Sequence, residues 1–195
     1  MVSKKFGAIK PEIRILGVDD GVFTPHTRTL ALIIGVVFRG GYWLDGVMHS
    51  KIEVDGFDST QKIVSMIMNS PHYKQLRVIM LNGITYAGFN IVNIKDLYEK
   101  TNLPVIAVTR DEPDLNKIHR ALENLPKSKT RRDLINAAGD IIEVSTCSRN
   151  EKIYLQLAGI LEEDAKKIVK LTSTRSSIPE PLRVAHLIAS GVTEA

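Results

Sequence analysis

The chain has one cysteine, Cys147, and one tryptophan, Trp43, among 195 residues. A single thiol cannot close an internal disulfide, so stability has to come from an apolar core, and a reducing compartment is expected. No cysteine–histidine cluster has zinc spacing. No run of 18 apolar residues occurs, which argues against a membrane helix. The opening "MVSKKFGAIKPEIR" has no apolar signal-peptide core. These absences lead to the expectation of a cytoplasmic protein without a membrane partner. Linkers, internal repeats and low-complexity tracts are also missing, so a single domain over residues 1–195 is expected.

The chain does contain 44% hydrophobic residues, enough for one full core. Its net charge of +4 is compatible with a polyanion partner without requiring one. The distribution of charge says more. "KIHRALENLPKSKTRR", residues 117–132, holds six Lys or Arg against one acid, Glu123. Such a run either tracks a phosphate backbone, with Lys127, Lys129, Arg131 and Arg132 as contacts, or forms a solvated face.

Residues 13–19 read as a buried strand. Two β-rich runs follow, 28–40 and 42–54, joined by Gly40-Gly41 as in an antiparallel hairpin. "DSTQKIVSMIMNS" then places Ile63, Met66 and Ile67 at helical spacing, with Asp58 or Ser59 as N-cap. "LRVIMLNG" is a strand, "IVNIKDLYEKT" a short helix and "LPVIAVTR" a strand ending at Arg110. This alternation predicts parallel strands with helical crossovers. A helical region over 114–138, a hairpin around "IIEVSTCSRNEKIYLQLAG" and helices over 162–172 and 180–190 complete the chain, with Gly191 as the last stop.

A meander followed by two parallel strands puts the first strand inside the sheet, beside the fourth. The C-terminal ends of parallel strands are where open α/β sheets bind ligands. "RILGVDDGVF" ends its apolar run in Asp19 and Asp20, and Asn82 ends the fourth strand. Asp19 and Asp58, with the Asn82 carbonyl, could hold one Mg²⁺ or Mn²⁺. Against this, Asp58 also reads as a helix cap and Asp20, before Gly21, as a turn residue. Strand alternation sends Asp20 to the side opposite Asp19.

Several segments resemble endonuclease V in the same order. "ILGVDDG" is similar to its first-strand "GVD". "VDGFDST", "VIMLNGITYAGFN" and "LPVIAVTR" follow as do its "PGF", "VDGHG" and "PTIGVAK"-like segments. "EKIYLQLAGILEEDA" and "SSIPEPLRVAHLIASG" resemble its closing strand and "LPEPTR…A" helix. The chain more closely resembles a mainly archaeal family related to endonuclease V and catalogued as domain of unknown function 99. The resemblance implies a ribonuclease H-like fold: a five-stranded mixed sheet, three antiparallel strands then two parallel, flanked by helices, here with a small extra hairpin.

Endonuclease V uses three acids to hold its metal and cuts on the 3′ side of an inosine-containing position. Asp19 matches the first acid. The second has no counterpart in its column; Asp58 lies nearby. The third is Asn82, and the following histidine is Ile84. The "PYVPGF" wedge is reduced to "EVDGF". Arg110 stands where that family has a lysine, either holding a phosphate or serving as an ordinary strand-end arginine. His186, one turn beyond Arg183, either reaches the metal site or lies on an amphipathic helix. Tyr86 either stacks on a base or packs beneath its loop.

Three readings follow. The first is a Mg²⁺- or Mn²⁺-dependent endonuclease with an acid-poor site, a weakly held metal and a DNA or RNA partner. The second is a non-catalytic nucleic-acid-binding relative. The third is an interaction or regulatory protein with no nucleic-acid role.

Overall fold

The computed structural model describes residues 4–27, 29–146 and 151–193. Arg28, expected to open the second strand, and Cys147, in the expected late hairpin, lie outside them. The first strand, β1 (Arg14–Asp20), is apolar on both faces, as a strand covered on both sides must be. It pairs antiparallel with β2 (Leu30–Arg39), which pairs antiparallel with β3 (Trp43–Glu53). Gly40 turns that hairpin with φ +57°, a conformation only glycine adopts freely.

Helix α1 (Ser59–Met68) leads to β4 (Val78–Asn82), parallel to β1. The small hairpin β5 (Thr85–Tyr86) and β6 (Asn90–Ile91) and helix α2 (Ile94–Thr101) precede β7 (Val105–Thr109), parallel to β4. Helices α3 (Leu115–Leu122) and α4 (Ser128–Ala137) follow. The hairpin β8 (Ile142–Ser145) and β9 (Lys152–Ala158) and helices α5 (Glu162–Thr172) and α6 (Glu180–Thr193) end the described chain.

The sheet order is β3-β2-β1-β4-β7-β9-β8, so β1 is internal and β4 is the middle strand. The sheet therefore has seven strands, not the expected five. The late hairpin does not stand apart: β9 pairs antiparallel with β7 from Val105↔Ala158 to Thr109↔Tyr154. The separate two-stranded element is β5–β6. The expected helix over 114–138 is broken between α3 and α4, where Pro126 precedes Lys127 at φ +56°. Gly191 does not stop α6, which runs on to Thr193.

Strand alternation divides the core into two layers. Leu16, Val18, Ile79, Leu81 and Val105 pack with α1 and α2 residues such as Ile63, Ile67 and Leu97. Ile15, Val78, Met80, Ile106 and Val108 pack on the other face with Ile168 and Val169 of α5 and Leu182 of α6. Ala185 and Ala189 of α6 close over Ile34, Val36 and Phe38 of β2.

Helix α6 lies unusually close to β1. A Cβ on Gly17 would fall 2.4 Å from both the carbonyl carbon and the oxygen of Pro181. One on Gly21 would fall 2.6 Å from Thr193 Cγ2 and 3.0 Å from the Ala189 carbonyl oxygen. These glycines serve close approach rather than unusual φ. Gly17→Ala should push against backbone that cannot yield and cost about 1–3 kcal/mol. Gly7→Ala, where nothing lies within 4 Å of the added Cβ, should change stability by less than about 0.5 kcal/mol. Urea unfolding of the two variants checks this, and equal midpoints would contradict the close packing.

Candidate active site

The parallel strands β1, β4 and β7 end side by side and deliver Asp19, Asn82 and Arg110 to one edge of the sheet. Asp19, on the α6 face, is 2% exposed. Its Oδ1 accepts the Asp20 N–H at 2.9 Å and the Asn82 Nδ2–H at 3.0 Å. Its Oδ2 lies 2.9 Å from Nδ1 of His186 on α6. With Nδ1–H donating to this carboxylate, Nε2 keeps its lone pair, and the largely exposed imidazole can present it to a ligand. Burial pushes the Asp19 carboxyl up, while Asn82, the Asp20 amide and His186 pull it back. A cleft of about 390 Å³ beside this group is lined by Asn82, Arg110, Ser176, Leu182, Arg183 and His186. Among the described residues the exposed Arg110 guanidinium has no hydrogen-bond or ion-pair partner.

Asp20 does point to the opposite layer, but it is the last strand residue and not a turn residue. Its Oδ2 accepts the Ala87 N–H at 2.6 Å and so fastens the β5–β6 hairpin to β1. Burial above all, aided by the charge of Asp19, raises its carboxyl from 3.8 to about 6. Tyr86 is fully buried and offers no face to a base. Its hydroxyl donates to the Val18 carbonyl at 2.9 Å and accepts the Asn82 N–H at 3.1 Å, tying the two strand ends together. Burial, then the charges of Asp19 and Asp20, push its phenol well above the ordinary value, so it stays neutral.

Asp58 is not brought to Asp19 as a ligand. It opens α1, which packs on the layer away from His186, and its Oδ1 accepts the Glu53 N–H at 3.1 Å and the Asn90 Nδ2–H at 2.7 Å. Nor does its side chain cap α1. Among the described residues no three His, Cys, Asp or Glu side chains are grouped to hold a metal. Arg131 is removed from the expected phosphate-binding set because it is buried at 1% exposure. It donates to the carbonyls of Asp55, Gly56, Phe89 and Pro126 and lies 4.1 Å from the Phe57 ring centre. It is a clamp between three loops. Lys127, 5.2 Å from the Phe57 ring, and Lys129 are exposed, and Arg132 reaches Glu123 at 3.4 Å. The glycines that seat α6 and the buried Glu180 beneath Arg183 were missed from sequence. The spacing Gly17-x-Asp19-x-Gly21, small residues flanking an acid on one strand face, was a signal for the first.

The chain matches the family described as endonuclease dU over residues 11–193. It is 52% identical to a UPF0215 protein of Methanothermobacter thermautotrophicus, covering 99% of this chain and 94% of the other. A crystal structure of a protein of unknown function from Archaeoglobus fulgidus superposes with TM-score 0.82 at 36% identity, covering 92% of this chain and 98% of that one. Endonuclease V of Ciona intestinalis, solved with a 24mer DNA containing an inosine followed by a ribo-adenosine, superposes with TM-score 0.63 at 15% identity over 93% and 86% of the two chains. That last likeness is one of fold.

The raised Asp20 carboxyl has a consequence for stability. In the unfolded chain it releases its proton near 3.8, in the folded chain near 6. The folded state thus binds more protons between these values, and stability falls as pH rises through them. The penalty is complete above about pH 6. Asp20→Asn, which can still accept the Ala87 N–H, should raise stability at pH 7.5 by on the order of 1–3 kcal/mol. The gain should vanish near pH 3.5. Thermal unfolding at the two pH values checks this; an equal effect at both would rule the titration out as its cause.

Proposed function

The chain belongs to the endonuclease dU family, and from that premise we propose that it is a nucleic-acid phosphodiesterase whose chemistry centres on Asp19 and His186. The ribonuclease H-like reading of the sheet supports this, because it sets the strand tips as the reaction edge. The carrying observation is the 2.9 Å contact between His186 Nδ1 and the buried Asp19 carboxylate. It orients the imidazole and leaves Nε2 free to take a proton from water. The water oxygen bonds to phosphorus, the bond to the leaving sugar oxygen breaks, that oxygen takes up a proton from solvent, and the imidazolium returns its proton to solvent. Arg110 binds the phosphate oxygens on which charge develops.

The residues present fit one divalent cation. Asp19 is a buried carboxyl whose ionised form is disfavoured by burial, a cost that a cation beside it would offset. Asp19 and the Asn82 carbonyl would hold it, and with a single carboxylate it would be held weakly. When bound, such a cation supplies Lewis-acid stabilisation and a more acidic water. The missing acid at position 82 also favours a second reading, a nucleic-acid-binding relative without turnover. Lys127, Lys129 and Arg132, on and beside α4, supply sequence-independent attraction in both.

The family name pairs an endonuclease with dU, so oligonucleotides carrying dU, alongside inosine-containing and unmodified DNA and RNA, are the substrates to assay with Mg²⁺ and Mn²⁺. His186→Gln should lower cleavage about 10²- to 10⁴-fold while leaving binding within about threefold. Binding without cleavage by the unaltered chain would select the second reading. By calorimetry, Asn82→Asp should tighten Mn²⁺ binding roughly tenfold, and adding Asp19→Ala should abolish the gain. No gain would remove position 82 from the cation site. Neutralising Lys127, Lys129 and Arg132 together should weaken binding to all sequences alike and flatten the salt slope by roughly 0.7–0.9 for each phosphate no longer neutralised. An unchanged slope would mark the three as a solvated face.

A further inference from the structure

We propose that Arg183, held by the buried Glu180, is the second jaw of a phosphate clamp whose first jaw is Arg110, and that Glu180 limits the clamp's preference for a terminal phosphate dianion over an internal phosphodiester. This rests on the reading of the cleft as a nucleic-acid site. Glu180, in the first turn of α6, is 2% exposed. Its Oε1 accepts Arg183 Nε–H at 2.9 Å and its Oε2 accepts Nη2–H at 2.7 Å. That bidentate bond occupies one edge of the guanidinium and fixes its plane. The Nη1 donors have no partner among the described residues, and Arg183 lines the same cleft as Asn82, Arg110, Ser176 and His186. Arg183 and His186 are three residues apart on α6 and so share a face. A ligand held between Arg110 and Arg183 therefore lies beside the imidazole.

The two arginines differ in charge balance. Glu180 neutralises Arg183, which is left as a rigid hydrogen-bond donor with little net charge. Arg110 is uncompensated. The jaws together present about one positive charge. A dianion gains twice as much as a monoanion from each positive charge, so neutralising Arg183 halves the advantage that two free guanidiniums would give a terminal phosphate dianion over the monoanion of a phosphodiester. Glu180 is accordingly a positioning residue that both aims Arg183 and sets this preference. A structural role alone, pinning the first turn of α6, would stabilise the fold without affecting anion binding.

The test compares the unaltered chain with Arg110→Gln, Glu180→Gln and the double variant Glu180→Gln/Arg183→Gln, which leaves no buried charge unpaired. The probes are a single-stranded oligothymidylate without terminal phosphates and inorganic phosphate. Anisotropy and competition read binding, and thermal unfolding reads the fold. The double variant should bind the oligonucleotide roughly tenfold more weakly, as should Arg110→Gln. Glu180→Gln alone frees the charge of Arg183 and should tighten inorganic phosphate roughly threefold or more relative to the oligonucleotide. Unchanged oligonucleotide affinity in the folded double variant, or an unchanged preference in Glu180→Gln, overturns the clamp. A chain that binds through both arginines but cleaves nothing keeps the clamp and loses the nuclease reading. A chain that cleaves yet ignores the double variant does the reverse.

Discussion

The close seat of α6 on β1 is the contact on which the rest of the candidate site depends. Gly17 and Gly21 bracket Asp19 on one face of the strand, and α6 lies against them at Pro181, Ala189 and Thr193. The absence of side chains on the strand lets the helix approach until Pro181 touches Gly17 and Thr193 touches Gly21. At that separation an imidazole one and a half turns into the helix reaches the strand-tip carboxylate directly. A side chain at position 17 or 21 would lift the helix, and His186 would lose Asp19 while Arg183 left the cleft. Packing here sets chemical geometry, and the tolerance is a few tenths of an ångström.

The same strand tip fastens the other layer. Because successive side chains point to opposite faces, two adjacent acids serve two structures: Asp19 meets α6 and Asp20 meets the β5–β6 hairpin. Tyr86 joins them from within, donating to β1 and accepting from β4. Each of these polar groups is satisfied, which is what makes its burial tolerable. The residual cost is electrostatic. Two carboxyls at adjacent positions, both withdrawn from water, are each held above their ordinary range by burial. A sequence selected for stability alone would not place them there, and such local departures concentrate at functional sites.

Period and order were legible in the sequence. The apolar runs gave the strands, helical spacing gave α1 and α2, the early proline marked the start of α6, and the alternation of types gave the parallel pairing of β1, β4 and β7. From that pairing the meeting of Asp19 with Asn82 follows. What was illegible depended on distant partners. The burial pattern of β8 and β9 would be the same in a free hairpin, and only the exposed flank of β7 recruits them as the sixth and seventh strands. Arg131 sits in a basic run that reads as surface, but carbonyls from three separate loops converge on it. Asp58 is drawn into structural service by Asn90, 32 residues away. Tyr86 follows a strand as a surface aromatic would, and its burial is decided by a hydroxyl that finds Val18 across the sheet.

Position 82 decides how the strand tips assemble in the absence of a ligand. A carboxylate there would face Asp19 across about the distance now bridged by a 3.0 Å hydrogen bond. Two buried carboxylates so close repel unless a proton or a cation lies between them. An amide removes that condition, because Nδ2–H donates to Asp19 and the pair is attractive with nothing bound. The strand tips can then assemble, with His186 already aimed, before any ligand arrives. A cation would no longer be needed to hold the site together, and its contribution would be confined to the ligand. The preorganised state of the dyad thus follows from chemical type at one position, an amide where an acid would have required company.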